Sequence, residues 1–373
     1  MRITDVEAIH LRLPDLDAAR CDGTQDTLLV LVHTDSGLTG IGEVDSSPPV
    51  ARAAIEAEPS HSIATGLRHL LVGEDPLAID RLWHTMWHGS RYFGGSGPAV
   101  HAISGVDIAL WDLAGKAYGR SVGDLLGGVY RTRVKAYASL LMPETPTEAA
   151  RSAERYAAAG YRAIKFGWGP IGRDRALDRQ LIAAIRGAVG DGVDIMIDAG
   201  QAWDLKGAVQ MAAVYRDHGV YWLEEPLAPD DIAGYAALSA ATELRIACGE
   251  QESSWEAFER LVDHGGVDVL QPDLARCGGL TQGRRLAWLS EVRHRMIVPH
   301  AFKTGVLVAA STHFVSAIPN GELIEHTVST SPLARDLVSV PMRFCDGYVE
   351  LPTGSVGLGV ELDWEVVERF RVR

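Results

Sequence analysis

Cysteine is scarce: Cys21, Cys248, Cys277 and Cys345 are spread over 373 residues with no CxxC pair. That spacing excludes a disulfide-stapled module and fits thiols kept reduced, so a cytoplasmic protein is expected. An apolar run of about eighteen residues is missing as well, which excludes a membrane-spanning helix. The amino terminus, MRITDVEAIHLRLPDLD, carries acids every few residues where a secretory leader needs an apolar block, so no export and no membrane partner are expected. Basic charge is in deficit, with Lys+Arg 35 against Asp+Glu 49 and a formal net charge of −14. That deficit argues against a nucleic-acid partner. Disorder is excluded by the 47% of hydrophobic residues, enough for two or three domains' worth of core. An acidic surface repels anions at long range, so an acidic ligand needs a local cation or metal.

What is present falls into three blocks. Residues 1–130 begin with alternating apolar positions from Ile3 to Leu13, an LLVLVHT run, a turn at Asp35-Ser36-Gly37 and LTGIGEV. These read as antiparallel strands. Helical spacing follows through Ala78 to Trp87 and Val100 to Leu113, giving an α+β domain. From 131 to 332, short apolar runs alternate with helix-length segments: VKAYASL, RAIKFGW, DIMIDAG, VYWLEEP, LRIACGE, VDVLQPD, MIVPHAF and ELIEHTV. Eight strands in such a series predict a parallel (β/α) barrel. An open doubly wound sheet is the alternative, but VKAYASLLMPETP lacks its Gly-rich phosphate loop. Residues 333–373 lose the alternation and read as turns and short strands returning to the first domain.

The strand interiors are apolar, and their exits carry Lys165, Asp198, Glu224, Glu250, Asp273, His300 and Glu325. In a parallel barrel all exits open on one face, where remote residues converge. The intervals from Asp198 to Glu224 and from Glu224 to Glu250 are both 26 residues, which sets three carboxylates side by side. Crowded carboxylates repel unless a cation sits among them, and hard oxygen donors suit Mg²⁺; a salt-bridge network with Arg and Lys is the alternative. Asp273 and His300 close neighbouring strands. An Asp on one imidazole nitrogen fixes the tautomer and leaves the other nitrogen as an acid or base, whereas the plain reading is a His bonded to a loop carbonyl. Lys165 offers a cation for a substrate carboxylate or a second proton-transfer group. A divalent metal beside a base suits removal of a proton from carbon next to a carboxylate.

These fragments resemble the enolase superfamily, specifically its mandelate racemase-like branch. The resemblance spans the chain through SGVDIALWDLAGKAYGRSVGDLLGG, AIKFGWG, IDAGQAW, WLEEP, ACGEQ, QPDLARCGG, VPHAFKTG and IEH. It implies an N-terminal α+β capping domain and a (β/α)7β TIM-like barrel. It also implies Mg²⁺ on Asp198, Glu224 and Glu250, an Asp273–His300 general-base dyad, and Glu325 as a protonated donor to a substrate carboxylate. Lys165 takes the first place of the family's Lys-x-Lys motif, but Gly167 stands at the second. Racemisation needs a proton-transfer group on each face of the carbon, so this departure disfavours it. Gly200 replaces an Asn common in relatives, and Asp273 stands where the muconate-cycloisomerase branch has Lys.

The reaction expected from one base is dehydration of a sugar acid, an α,β-dihydroxy carboxylate, to a 2-keto-3-deoxy acid. Alternatives through the same enolate are a cycloisomerase, an epimerase or a racemase; a barrel that has lost activity is a third class. The small-molecule partner is then a carboxylate, and the resemblance implies a homo-oligomer, dimer or octamer. Substrate contacts are expected from the cap, through loops 14–26 and 45–49 and from Asp17, Arg20, Asp22, His88, Arg91 and Tyr92. Trp168 is expected to fill the space left by the missing lysine.

Overall fold

A computed structural model describes all residues, Met1–Arg373. The chain opens with β1 (Ile3–Arg12), β2 (Asp26–Thr34) and β3 (Thr39–Val44), paired antiparallel in that order. Helix Pro98–Tyr118 covers this sheet. Proline opens it, and Gly119, in the left-handed region with φ 62°, ends it. Its approach to β3 is very close: a Cβ on Gly42 would lie 1.9 Å from the carbonyl oxygen of Gly105. Only glycine permits that contact, and it fixes where the end of β3 emerges.

Eight parallel strands follow: β4 (Arg133–Leu141), β5 (Ala163–Gly167), β6 (Asp194–Asp198), β7 (Val220–Glu224), β8 (Arg245–Cys248), β9 (Val269–Leu270), β10 (Met296–Ile297) and β11 (Leu323–Thr327). Neighbours in sequence pair parallel from β4 to β10, with one register shift between Ile195 and Met196 in the β6–β7 pair, and β11 pairs with β4. Helices separate the strands; Thr145, Asp174, Asp204, Asp231, Ser254 and Thr304 cap six of them with side-chain acceptors. This is the barrel expected from the alternation of apolar runs, with the sheet domain ahead of it. No helix is long and apolar enough to cross a membrane.

The barrel axis is filled by a layer drawn from every strand position: Tyr137, Ala163, Met196, Trp222, Ala247, Val269, Val298 and Leu323, all buried. Large and small residues alternate, and the Tyr137 and Trp222 rings meet edge-on at 5.5 Å. Side chains two residues further along a strand point the same way. The next inward layer toward the strand exits is therefore Ser139, Lys165, Asp198, Glu224, Gln271, His300 and Glu325. Period-two geometry alone turns an apolar plug into a polar floor.

The last block divides its contacts. A hairpin, β12 (Arg343–Cys345) and β13 (Tyr348–Glu350), adds antiparallel to the start of β4. Beyond it the chain returns to the cap, where Leu358 N donates to Asp112 Oδ1 and Leu11 bridges Arg371. The expectation that all of 333–373 returns to the cap is thus corrected for the hairpin. Three-residue strands are too short to show a period against turn residues.

Candidate active site

Two carboxylates from the polar floor, Asp198 and Glu224, and Glu250 from the turn after β8 are buried, with ligand oxygens within 4.8 Å of one another. Burial, followed by the charges of Glu224 and Glu250, pushes the Asp198 carboxyl well above the usual range. Glu224 is raised mainly by burial too, with Lys165 opposing. Oε2 of Glu250 is buried without a hydrogen-bond partner. An oxygen without a partner beside two carboxyls that burial holds up is the chemistry of a hard-cation donor set, and the three residues fit Mg²⁺. Gln271 and Trp222 donate to Glu224 Oε2 at 2.8 and 2.9 Å, which orients that ligand.

Lys165 is 3% exposed, with Nζ 2.5 Å from Glu224 Oε1 and 2.9 Å from Glu325 Oε1. Burial would lower its pKa, but Glu224 and Glu325 outweigh it and raise the ammonium well above an ordinary lysine. Lys165 Nζ is therefore turned onto two carboxylates, Glu224 and Glu325, in the place expected for a cation or a proton-transfer group. Glu325 is buried beside it. Burial favours its neutral form, while Lys165, His300, the Ser139 hydroxyl at 2.6 Å and the Ala301 N–H at 2.7 Å bring it down to about 2. Both of its oxygens accept hydrogen bonds, Oε1 from Ser139 and Oε2 from the Ala301 N–H.

His300 Nδ1 lies 2.7 Å from Asp273 Oδ2, and the Ala275 N–H holds the other Asp273 oxygen at 2.6 Å. Asp273 accepting at Nδ1 leaves Nε2 toward the carboxylates, 3.4 Å from Glu250 Oε2 and 3.9 Å from Glu325 Oε2. Burial would lower the imidazole, but Glu250 and then Glu325, with the Asp273 bond, push it up to about 10. The strand-end pairing read from sequence is therefore a direct contact.

The two departures from the family pattern meet at one point. A Cβ on Gly167 would sit 2.8 Å from Asp198 Oδ2 and 2.9 Å from Asp198 Cβ, so a side chain there displaces the carboxylate. A Cβ on Gly200 would sit 2.7 Å from the Trp168 ring. The Trp168 indole lies over Gly200, where the common Asn would project, and it lines the cavity. Trp168, Gln201 and Glu225 all carry positive φ (57°, 64° and 39°), so strained backbone is concentrated around the mouth.

A cavity of about 270 Å³ covers this floor and is lined in part by Lys165, Asp198, Glu250, His300, Glu325 and Trp168. Arg20, His88 and Tyr92 do not line it. Arg20 faces an adjoining cavity with Asp15, Asp17 and Asp22, and its guanidinium pairs with Asp22 at 3.7 Å. His88, Arg91 and Tyr92 line a separate cavity with Ile63, and the Tyr92 ring meets His61 edge-on at 4.8 Å. His88 lies in the last turn of helix Ile79–Gly89, and Arg91 and Tyr92 follow its end.

Sequence reasoning missed Asp45, Arg276 and Lys303. Asp45, just past β3, binds Arg276 Nη2 at 2.8 Å and Lys303 Nζ at 3.1 Å. Arg276 also donates to the Glu250 carbonyl at 3.1 Å and lies 3.8 Å from Asp273. This buried network ties the cap to both halves of the site. Each lies in a segment already marked without the residue being singled out: Asp45 in the 45–49 loop, Arg276 in QPDLARCGG three residues after Asp273, and Lys303 in VPHAFKTG three residues after His300.

Comparison with known proteins agrees with this geometry. Residues 3–127 match the family described as mandelate racemase / muconate lactonizing enzyme, N-terminal domain, and residues 148–366 match enolase C-terminal domain-like. The D-galactarolactone cycloisomerase of Agrobacterium fabrum is 31% identical, over 92% of this chain and 91% of that one. The D-xylonate dehydratase of Haloferax volcanii is 31% identical, over 96% and 89%. The crystal structure of a racemase from Streptomyces coelicolor A3(2) with bound magnesium superposes with TM-score 0.87 at 29% identity, over 99% and 100%. Matched along both domains, and carrying the carboxylate cluster and the imidazole on one barrel face, the chain belongs to the mandelate racemase-like branch of the enolase superfamily.

Proposed function

We propose that the protein is a Mg²⁺-dependent sugar-acid dehydratase, with Asp198, Glu224 and Glu250 as the metal ligands. The observation that carries this reading is geometric: the His300 imidazole is braced by Asp273 with Nε2 toward the carboxylate cluster, Lys165 Nζ is taken up by Glu224 and Glu325, and Gly167 offers no side chain at the second lysine position. One base serves β-elimination; racemisation needs two.

Glu250 is the charge that raises the imidazole most, so its engagement with Mg²⁺ would return His300 to the neutral form, whose Nε2 accepts the proton from C2 as the electron pair of that C–H bond becomes the C2–C3 double bond and the C3–O bond breaks. The imidazolium returns the proton to the departing hydroxyl, which leaves as water, and the enol product tautomerises to a 2-keto-3-deoxy acid. Asp273 holds the ring in the Nδ1–H tautomer and stabilises the imidazolium. Bound Mg²⁺ supplies electrostatic stabilisation of the negative charge that develops on the substrate carboxylate. Lys165 keeps Glu224 and Glu325 ionised and in place.

A second reading is favoured by the relative named a D-galactarolactone cycloisomerase. The same proton abstraction expels a ring oxygen in place of a hydroxyl. Incubation with C4 to C6 sugar acids and lactones plus Mg²⁺ separates the two: dehydration gives a keto acid that has lost water, and ring opening gives one of unchanged mass. His300→Asn is expected to abolish exchange of the α-proton in D₂O, by about 10³-fold or more, while Mg²⁺ still binds. Retained exchange removes His300 as the base. Failure of every acid to yield a keto acid removes the dehydratase reading.

A further inference from the structure

The charge of the cavity is unevenly distributed. Its fixed cations are Lys165 and Arg276, and both are already engaged. Lys165 is held by Glu224 and Glu325. Arg276 spends Nη2 and Nε on the Asp45 side chain and carbonyl and Nη1 on the Glu250 carbonyl. Lys303, just behind, is bound to the Gly23 carbonyl at 2.6 Å and to Asp45. Six carboxylates, Asp45, Asp198, Glu224, Glu250, Asp273 and Glu325, are buried around these three cations. A divalent metal still leaves the cluster without surplus positive charge before a substrate enters.

The rest of the wall is uncharged. Leu140 and Leu141 end β4, Phe302 follows β10 and Trp168 follows β5; all are half-buried and line the cavity. Gln201 and Gln251 contribute neutral amides. Behind Leu140, Leu141 and Phe302, the adjoining cavity holds Arg20, but among Asp15, Asp17 and Asp22. That neighbourhood repels a carboxylate. A space of about 270 Å³ is at the small end for ligand sites, so the far end of a six-carbon chain meets this wall.

We infer that the site, within the sugar-acid reaction proposed above, selects monocarboxylates whose remote end is uncharged and rejects dicarboxylates of the same length. A second carboxylate would lose its water against leucine and phenylalanine and find no free cation in exchange. A terminal hydroxymethyl or methyl group meets no such penalty.

The test uses C6 pairs matched in stereochemistry, D-gluconate with D-glucarate and D-galactonate with galactarate. Keto-acid formation is followed together with calorimetric binding to the Mg²⁺-loaded protein. The accepted monoacid is expected to exceed its diacid at least about 100-fold in kcat/KM and in affinity. Leu141→Arg is expected to narrow that gap about tenfold or more by improving diacid binding; Leu140→Arg repeats the test at the neighbouring position if the first variant does not fold. A diacid bound as tightly as its monoacid overturns the inference, and keto acid formed from it leaves the proposed reaction standing. Monoacid preference in binding without keto acid from either partner supports the selectivity and sinks the dehydratase reading. Binding of neither class overturns both.

Discussion

Gly167→Ala is the smallest change that probes the chain's main departure from its family. Alanine adds one methyl group, and here that methyl would sit 2.8 Å from Asp198 Oδ2, 2.9 Å from its Cβ and 3.1 Å from its Cγ. Rotating the carboxylate relieves the first contact but not the second. The Asp198 backbone is held in parallel register with Gly167, so the side chain must move by several tenths of an ångström relative to Glu224 and Glu250. A ligand set disturbed on that scale loses about 10- to 100-fold in metal affinity, or about 1.4 to 2.8 kcal/mol. Titration calorimetry with Mg²⁺ measures this directly, with circular dichroism to show that the fold is kept. Gly167→Lys is expected to lose at least as much affinity and to gain no racemisation, scored by α-proton exchange with retention of both epimers. Wild-type Mg²⁺ affinity in Gly167→Ala would refute the steric reasoning and return the missing lysine to an accident of sequence.

Lys165→Met leaves Glu224 and Glu325 buried without their shared cation, and unfolding in urea with chelator present is expected to show a loss of about 3 to 5 kcal/mol, partly restored by saturating Mg²⁺. Equal loss with and without the metal would mean that Lys165 and the metal do not share Glu224. His313 accepts from the Gly123 N–H at Nδ1 and donates to the Leu358 carbonyl at Nε2, and burial lowers it from 6.5 to about 4. A histidine depressed in the folded state takes its proton only on unfolding, so stability present above pH 6.5 is lost as pH falls toward 4, by about 3 kcal/mol. His313→Gln is expected to flatten the stability profile between pH 6.5 and 4 by about one proton; an unchanged slope would exclude the histidine as its source.

The parts of the molecule that were legible in sequence share a physical cause, a period imposed by geometry. Parallel strands buried on both faces read as apolar runs, and the first polar group after each run marks a strand exit. The same rule explains why Asp198, Glu224, His300 and Glu325 were found together: each sits two residues beyond a residue of the apolar plug, Met196, Trp222, Val298 and Leu323. Contacts between elements have no such signature. Asp45 and Arg276 are 231 positions apart, and nothing in either segment announces the other. The partners of Lys165 and Glu325 were equally hidden, because each contacts the other and Glu325 takes donors from Ser139 and the Ala301 N–H.

Gly167, Trp168 and Gly200 show why single departures from a pattern mislead when taken one at a time. In sequence, Gly167 is a missing proton-transfer group and Gly200 a missing polar contact, two independent losses. In space, the indole of Trp168 occupies the volume above Gly200, and the bare Cα of Gly167 leaves room for Asp198. The three positions are therefore packed as one unit. A lysine at 167 without a shift in Asp198 clashes with a metal ligand, and an asparagine at 200 without a smaller residue at 168 clashes with the ring. Restoring either residue alone is predicted by this geometry to damage the site, so the absence of a second lysine is built into the packing around Asp198.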